Sequence, residues 1–301
     1  MNRATPLSFD AVATPVTQSS DPFRLRALWR HGPTRVALAF LIALALIALL
    51  APVLAPHSPI AQPDPVGLKN VPPTAEHPFG TDSYSRDVLS RMMYGTRVSL
   101  SIAVLAMLLS TFIGTAYGLV AALAGGFIDA FMMRIVDALL AIPRILLLLG
   151  VVALWGQLEV VALIVVIGLS GWFGAARLVR TQILAVKHRD FVTAARGLGV
   201  WPLSIAVRHL LPSVASPVLV AATFGVGAAL VVEAGLSFLG YGVTDPQASW
   251  GNVLREGLQY PATAWWIVAA PGLALVVTVL AVNVIADRLR DVASGRHLHD
   301  A

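Results

Sequence analysis

The chain contains no cysteine, which excludes disulfides, thiol catalysis and Cys-based metal or cluster sites. Charge is scarce as well: Asp, Glu, Lys and Arg make up 12% of the 301 residues, where a soluble domain averages about 25%. So little polar surface cannot cover a water-soluble globule. Also missing is any Gly-x-x-x-x-Gly-Lys-Ser/Thr loop to cradle a triphosphate, so the chain itself has no usual means of binding ATP. What is present is apolar: 57% of side chains are hydrophobic and the mean hydropathy is +0.78. These features define an all-α polytopic membrane protein built as one membrane domain.

A helix needs about 20 apolar residues to cross the hydrocarbon core. Six segments qualify: Val36–Pro56, Val98–Ile128, Phe131–Leu154 (with Asp137 and Arg144), the short Val160–Ala176, Pro217–Leu239 (with Glu233) and Trp265–Ala286. Residues 1–35 form a polar leader, too long for the n-region of a signal peptide. Six spans put both termini on one side. Fifteen Lys and Arg then share that side, and Lys69, Arg86, Arg91, Arg97 and Arg255 lie on the other. This bias places the termini, the loop 177–216 and the tail 288–301 in the cytoplasm, with 57–97 and 240–264 facing outward. The net charge of +5 follows from this topology rather than from nucleic-acid binding.

The outward segment 57–97 opens with a Pro-rich stretch (Pro56 to Pro78), which predicts extended chain. Val88, Leu89, Met92 and Met93 then form one helical face opposite Arg86, Asp87 and Arg91. The pattern fits a short amphipathic helix at the outer interface, and equally the wet start of the second span.

The polar stretch 190–212 interrupts this hydrophobic chain. Asp190 is placed to cap a helix, and Phe191, Ala194, Ala195 and Leu198 fall at i, i+3, i+4 and i+7. Gly199 and Pro202 stop that helix, and a second begins near Pro202 with Leu203, Val207, Leu210 and Leu211 on its apolar side. A helix–turn–helix rich in small residues suits docking to a partner. On pattern alone, a surface helix with no partner fits as well.

This stretch resembles the cytoplasmic EAA loop of binding-protein-dependent ABC importer permeases: Glu-Ala-Ala, three residues, Gly, nine residues, Ile, one residue, Leu-Pro. Ala194, Ala195, Gly199, Leu211 and Pro212 match in register, while Thr193 replaces the Glu and His209 the Ile. Further segments resemble the dipeptide/oligopeptide permeases of the C-subunit type: His77–Asp82, Arg86–Arg91, Tyr94–Leu100, Glu233–Gly240 and Ser249–Asn252. Ser85 and Arg144 stand where that subfamily commonly has Gly.

The resemblance implies a type I ABC importer transmembrane domain in a bacterial or archaeal plasma membrane. Its 98–287 core would include the coupling loop 177–216, with Thr193, Ala194, Ala195, Gly199, Leu211 and Pro212 contacting an ATPase. The expected partners are a second related permease subunit, two ATPase subunits holding ATP-Mg, and an extracytoplasmic substrate-binding protein. The expected cargo is a di- or oligopeptide; nickel, glutathione or another small solute are alternatives. This chain would bind no cofactor and catalyse no reaction. An ion-coupled secondary transporter would more naturally show an internal repeat, and none is visible. An intramembrane enzyme would need a partner for Glu233, and none is evident.

Ionisable groups within a span cost roughly 2.5–3.5 kcal/mol on insertion scales. Arg144 and Glu233 are therefore candidates for lining the translocation path and touching the charged ends of a peptide. The competing reading is structural: an interhelical pair, or Arg144 paired with Asp137. Asp129, Asp137 and His77 could suggest metal ligands, but no His pair has helical spacing and no carboxylate cluster forms, so no metal site is expected. His297 and His299 in the tail read as solvated.

Overall fold

A computed structural model describes residues 31–260 and 262–294. The leader up to residue 30, with Arg3, Arg24, Arg26 and Arg30, lies outside the described residues, as do Arg296, His297 and His299 of the tail. Ten helices are present among the described residues: α1 (Gly32–Leu54), α2 (Val88–Ala124), α3 (Gly126–Ala141), α4 (Arg144–Trp155), α5 (Val160–Leu169), α6 (Trp172–Val186), α7 (Asp190–Gly197), α8 (Pro202–Leu239), α9 (Trp250–Gly257) and α10 (Trp265–Ser294). No β-strand occurs among them beyond one isolated bridge between Thr81 and Asp87.

Four helices, α1, α2, α8 and α10, are each long and apolar enough to cross a membrane. Two further pairs meet that test only together. α3 and α4 are bent by 83° and α5 and α6 by 40°, giving six crossings if each pair is one span. The sharper break falls at Ile142–Pro143, because proline lacks an N–H and clashes with the preceding turn.

Several helices outrun the apolar segments that mark them. α2 begins at Val88, so the separate amphipathic helix expected within 57–97 is the first turns of this 37-residue helix. Asp87 starts it, its carboxylate accepting the Ser90 N–H at 2.7 Å. α6 runs on to Val186, which places Arg177 and Arg180 on a helix rather than in a loop. There they pair with α3, Arg177 with Asp137 and Arg180 with both oxygens of Asp129. α8 begins at Pro202 and runs 38 residues through a short π-helical stretch, Ala206–Leu210, ahead of Pro212 and Pro217.

At 1.5 Å per residue, α2 and α8 are each about 55 Å long, well beyond a hydrocarbon core of about 30 Å. They therefore carry structure at both ends of the bundle. At one end sit the 57–97 segment, the start of α2, the end of α8, and α9. At the other sit the end of α2, α7 and the α7–α8 corner. The main core fills the first end and the middle, with Ile102, Leu163, Ile167, Leu230, Leu236 and Trp250 fully buried.

Water does not drive helices together inside a bilayer, so close approach of backbones must supply the attraction. The most extensive helix–helix contact, α2 with α6, is of this type. Gly114 and Gly118, one turn apart on α2, face the α6 backbone. A Cβ on Gly114 would lie 2.6 Å from the Ala175 Cβ and 2.7 Å from the Trp172 carbonyl oxygen. Gly114→Leu is expected to push α6 away and cost about 1–3 kcal/mol, as overpacking does. A lowered thermal midpoint in detergent, with α1–α2 insertion intact, is the expected measurement.

Candidate functional site

Five charged side chains converge at the first end of the bundle. Arg86 donates from Nε to Asp82 at 2.7 Å, from Nη1 to Asp245 at 2.8 Å and from Nη2 to Glu256 at 2.7 Å. Arg91 donates from Nη1 to Asp82 and Glu256, both at 2.5 Å, and from Nη2 to the other Glu256 oxygen at 2.8 Å. Asp82 and Arg91 are fully buried, and only Asp245 is substantially exposed. Burial opposes the Arg86 charge, yet the adjoining Asp82 and Glu256 carboxylates outweigh it and raise its pKa above the ordinary value. Removing a fully buried cation such as Arg91 leaves uncompensated carboxylates and costs about 3–5 kcal/mol. The ions join two regions far apart in sequence: the approach to α2 and its first turn on one side, and the α8–α9 loop with α9 on the other, 159 to 170 residues from Arg86.

The loop carrying Asp82 is held from several sides. Thr81 N–H bonds to the Val71 carbonyl at 3.0 Å, Asp82 N–H to the Arg86 carbonyl at 3.0 Å, and Val88 N–H to the Gly80 carbonyl at 3.0 Å. The Trp266 indole donates to the Thr81 carbonyl at 3.2 Å. The Pro-rich stretch thus leads into a tightly tied fold-back, not simply extended chain.

A second buried knot adjoins this network. Ser249 and Asn252 close a reciprocal capping box at the start of α9. Trp250 donates from its indole to Thr96 at 3.2 Å and from its backbone to the Ser99 hydroxyl at 3.1 Å. A Cβ on Gly95 would stand 3.3 Å from Trp250, and one on Gly251 would lie 2.5 Å from the Ala234 carbonyl oxygen. These glycines let α2, α8 and α9 meet backbone to backbone. Glu233 sits in this knot, 0% exposed, accepting from the Ser237 hydroxyl at 2.8 Å with Ser99 and Ser249 beside it.

Arg144 is elsewhere. It donates from Nε to Ser170 at 3.0 Å and from Nη2 to the Ile167 carbonyl at 2.7 Å, and has no acidic partner among the described residues. With Ser110 and Thr111 of α2, Ala175 of α6 and Gly225 of α8 it lines a cavity of about 280 Å³. Neither structural pairing expected for it forms. The 83° break separates it from Asp137, which is bound to Arg177, and Glu233 is enclosed in the Trp250 knot.

At the opposite end, α7 and the start of α8 make the helix–turn–helix corner. α7 begins at Asp190 itself and closes with the Val200 N–H reaching back to the Ala195 carbonyl at 3.1 Å, around Gly199 at φ +76°. This is the Schellman closure that favours glycine. The stripe expected on α7 divides in two. Val192 and Ala195 are buried against Ala122, Val179, Ile183 and Leu210, tying the corner to α2 and α6. Phe191, Ala194 and Leu198 point outward, as do Trp201, Leu203 and Val207; Leu198 is 84% and Trp201 72% exposed. Thr193 is exposed, its hydroxyl reaching the Arg189 carbonyl at 3.4 Å. Leu211 is half-buried and Pro212 exposed at the end of the π-helical stretch.

Comparison with known proteins fits this arrangement. Residues 114–296 match the model of the binding-protein-dependent transport system inner membrane component, and residues 24–73 match the N-terminal TM domain of oligopeptide transport permease C. The chain belongs to the binding-protein-dependent ABC importer permeases. A peptide transport system permease protein of Brucella abortus is 39% identical over 296 residues, 97% of both chains. The dipeptide transport system permease protein DppC of Bacillus subtilis is 38% identical over 267 residues, 88% of this chain and 82% of that one. The MetNI methionine ABC transporter, solved in inward-facing conformations, superposes with a TM-score of 0.56 at 20% identity, over 68% of this chain and 97% of that one; this likeness bears on the fold alone.

At Ser85, where the resemblance leads one to expect Gly, the backbone of the permease takes a conformation that favours glycine. Ser85 has φ +63°, is 1% exposed, and its hydroxyl has no protein partner. A left-handed conformation costs a residue with a Cβ about 1–2 kcal/mol and costs glycine almost nothing. Ser85→Gly should raise the stability of the permease by about 1 kcal/mol, seen as a higher thermal midpoint. Ser85→Ala, which keeps the Cβ, should recover only the part due to the unpartnered hydroxyl.

Proposed function

We propose that this permease forms half of a translocation path for di- or oligopeptides, delivered by an extracytoplasmic binding protein and driven by separate ATPase subunits. A second related permease subunit supplies the other half. The exposed apolar face of the α7–α8 corner is the observation that carries the coupling claim. Phe191, Leu198, Trp201 and Leu203 stand in the open on a corner whose inner side, Val192 and Ala195, is fixed into the bundle. A surface that is apolar outward and anchored inward suits transmission of a partner's motion. The Lys and Arg bias puts this corner on the cytoplasmic side, where ATP is available. ATP must favour one state of the assembly over another to do work, and Val192 and Ala195 pass that preference to α2 and α6.

The peptide assignment rests on the names of the relatives and on the Arg144 cavity. The wall beside Arg144 also carries the Ser110 and Thr111 hydroxyls, neither with a protein partner. A guanidinium with donors to spare and two free hydroxyls suit a peptide carboxylate. Glu233, enclosed in the Trp250 knot, serves to join α8 to α9 rather than to meet cargo.

Two experiments test these assignments in proteoliposomes holding the complete transporter. Gly199→Asp strains the φ +76° turn and adds charge to the docking face. It should abolish substrate-stimulated ATP hydrolysis and transport while leaving membrane insertion and assembly of the bundle unchanged; normal transport would remove the corner from the coupling path. Arg144→Gln should raise the KM for free peptides about tenfold or more, the worth of a hydrogen bond to a charged group. A peptide amidated at its C-terminus should be carried equally by both forms. An equal loss for both peptides would show that Arg144 acts only on structure.

A further inference from the structure

At the junction between α1 and α2, two imidazoles and a carboxylate share one small volume. His57 follows the end of α1, His77 lies in the fold-back of the 57–97 segment, and Asp87 caps α2. One ligand atom of each lies within 4.8 Å of the other two. The His77 Nδ1 is 2.9 Å from Asp87 Oδ1, the His57 Nδ1 is 3.9 Å from the same oxygen, and the two rings are 4.7 Å apart.

Each member is held in place by contacts that leave its ligand atom available. The His57 backbone N–H donates to the Ser90 hydroxyl at 3.0 Å. His77 is set in a turn in which its N–H donates to the Thr74 hydroxyl at 3.0 Å and its carbonyl accepts from Thr74 and Gly80. Asp87 spends Oδ2 on the cap of α2, leaving Oδ1 toward the two rings. An ordinary His77–Asp87 hydrogen bond does not account for His57. Its ring is partly exposed, but its Nδ1 is enclosed, points toward the same carboxylate and has no hydrogen-bond partner.

We propose that His57, His77 and Asp87 bind one divalent transition-metal ion of the zinc class, which clips the exit of α1 to the cap of α2. Two imidazole nitrogens and one carboxylate oxygen are a ligand set that zinc accepts, with water in the fourth position. The partly exposed side of His57 is where that water enters. With tetrahedral bonds of about 2.0–2.2 Å the ligand atoms stand about 3.3–3.6 Å apart, so the His77–Asp87 pair opens slightly from 2.9 Å and His57, with its free outer side, moves in from 3.9 Å. His77 then carries its proton on Nε2 instead of Nδ1. The two-plus charge meets one carboxylate, while Arg86 and Arg91 remain committed to Asp82 and Glu256. The ligands come from positions 57, 77 and 87, a spacing with no helical or short-motif regularity, so His77 stands out in the sequence without its true companions His57 and Asp87.

The test uses the full-length protein, purified without a histidine tag and titrated with Zn²⁺ after chelator treatment. One ion per chain should bind, raise the thermal midpoint, and give an X-ray absorption spectrum with two imidazole nitrogens and oxygen ligands. Asp87→Asn preserves the α2 cap, because Asn caps as well as Asp, and His57→Ala alters a partly exposed side chain; neither should unfold the protein. Each should weaken Zn²⁺ binding by more than the roughly 10–100-fold that loss of an outer-shell partner costs. A His297→Ala/His299→Ala variant should bind as the parent does. Zn²⁺ binding that is absent in the parent, unchanged in Asp87→Asn and His57→Ala, or lost with the tail histidines would overturn the site.

Discussion

Arg91 cannot be buried alone, and much of the Trp250 end of this permease follows from that constraint. Its guanidinium has no exposed surface, so carboxylates must surround it, and Asp82 and Glu256 do so from opposite directions in sequence. Arg86 shares both carboxylates and adds Asp245. To bring these groups together the 57–97 segment must fold back on itself, and the α8–α9 loop must turn over it. The tight glycine contacts at Gly80, Gly95 and Gly251 are the steric counterpart of that requirement. One electrostatic condition thus fixes the mutual placement of α2, the α8–α9 loop and α9.

The sequence reveals the spans readily, because about 20 apolar residues are a strong physical signal, and it reveals the corner because Gly199 and Pro202 are strong stops. It misleads where charge and helix overlap. Arg86, Asp87 and Arg91 look like the wet face of an interfacial helix, since nothing local shows that Glu256, 165 residues beyond Arg91, will neutralise the two arginines, or that Asp87 will be taken up by the α2 cap and His77. Arg177 and Arg180 look like loop residues because the apolar run stops at Ala176, yet Asp137 and Asp129 allow α6 to continue past them. The alternation on α7 was legible only in part. Periodicity groups Phe191, Ala194, Ala195 and Leu198, but it cannot tell which of them the bundle covers, and Val192 takes the inner place. Arg144 and Glu233 look alike in sequence, as charges within apolar segments. Tertiary packing separates them, one on a cavity wall and one sealed among hydroxyls.

Family resemblance and physical cause coincide here with unusual directness. The short segments that carry the likeness to the C-subunit type, from His77 to Arg91, Tyr94 to Leu100, Glu233 to Gly240 and Ser249 to Asn252, are scattered along the chain. In space they are the two adjoining knots at one end of the bundle. Each segment is uninformative alone because its partners are in the others.

The lengths of α2 and α8 bear on how force travels through the molecule. Each is a rod of about 55 Å at 1.5 Å per residue, α2 tied at one end by the Arg91 ions and α8 by the Glu233 knot, and both packed at the other against Val192 and Ala195. A tilt of about 5° at the corner becomes a sideways displacement of about 5 Å at the far end of such a rod. The π-helical stretch Ala206–Leu210 and the prolines that follow it are the points where α8 can flex without breaking. The geometry is that of a pair of levers, so under the proposed coupling a small stroke at the corner would be magnified along α2, while the compliant joint near the handle of α8 would absorb part of it.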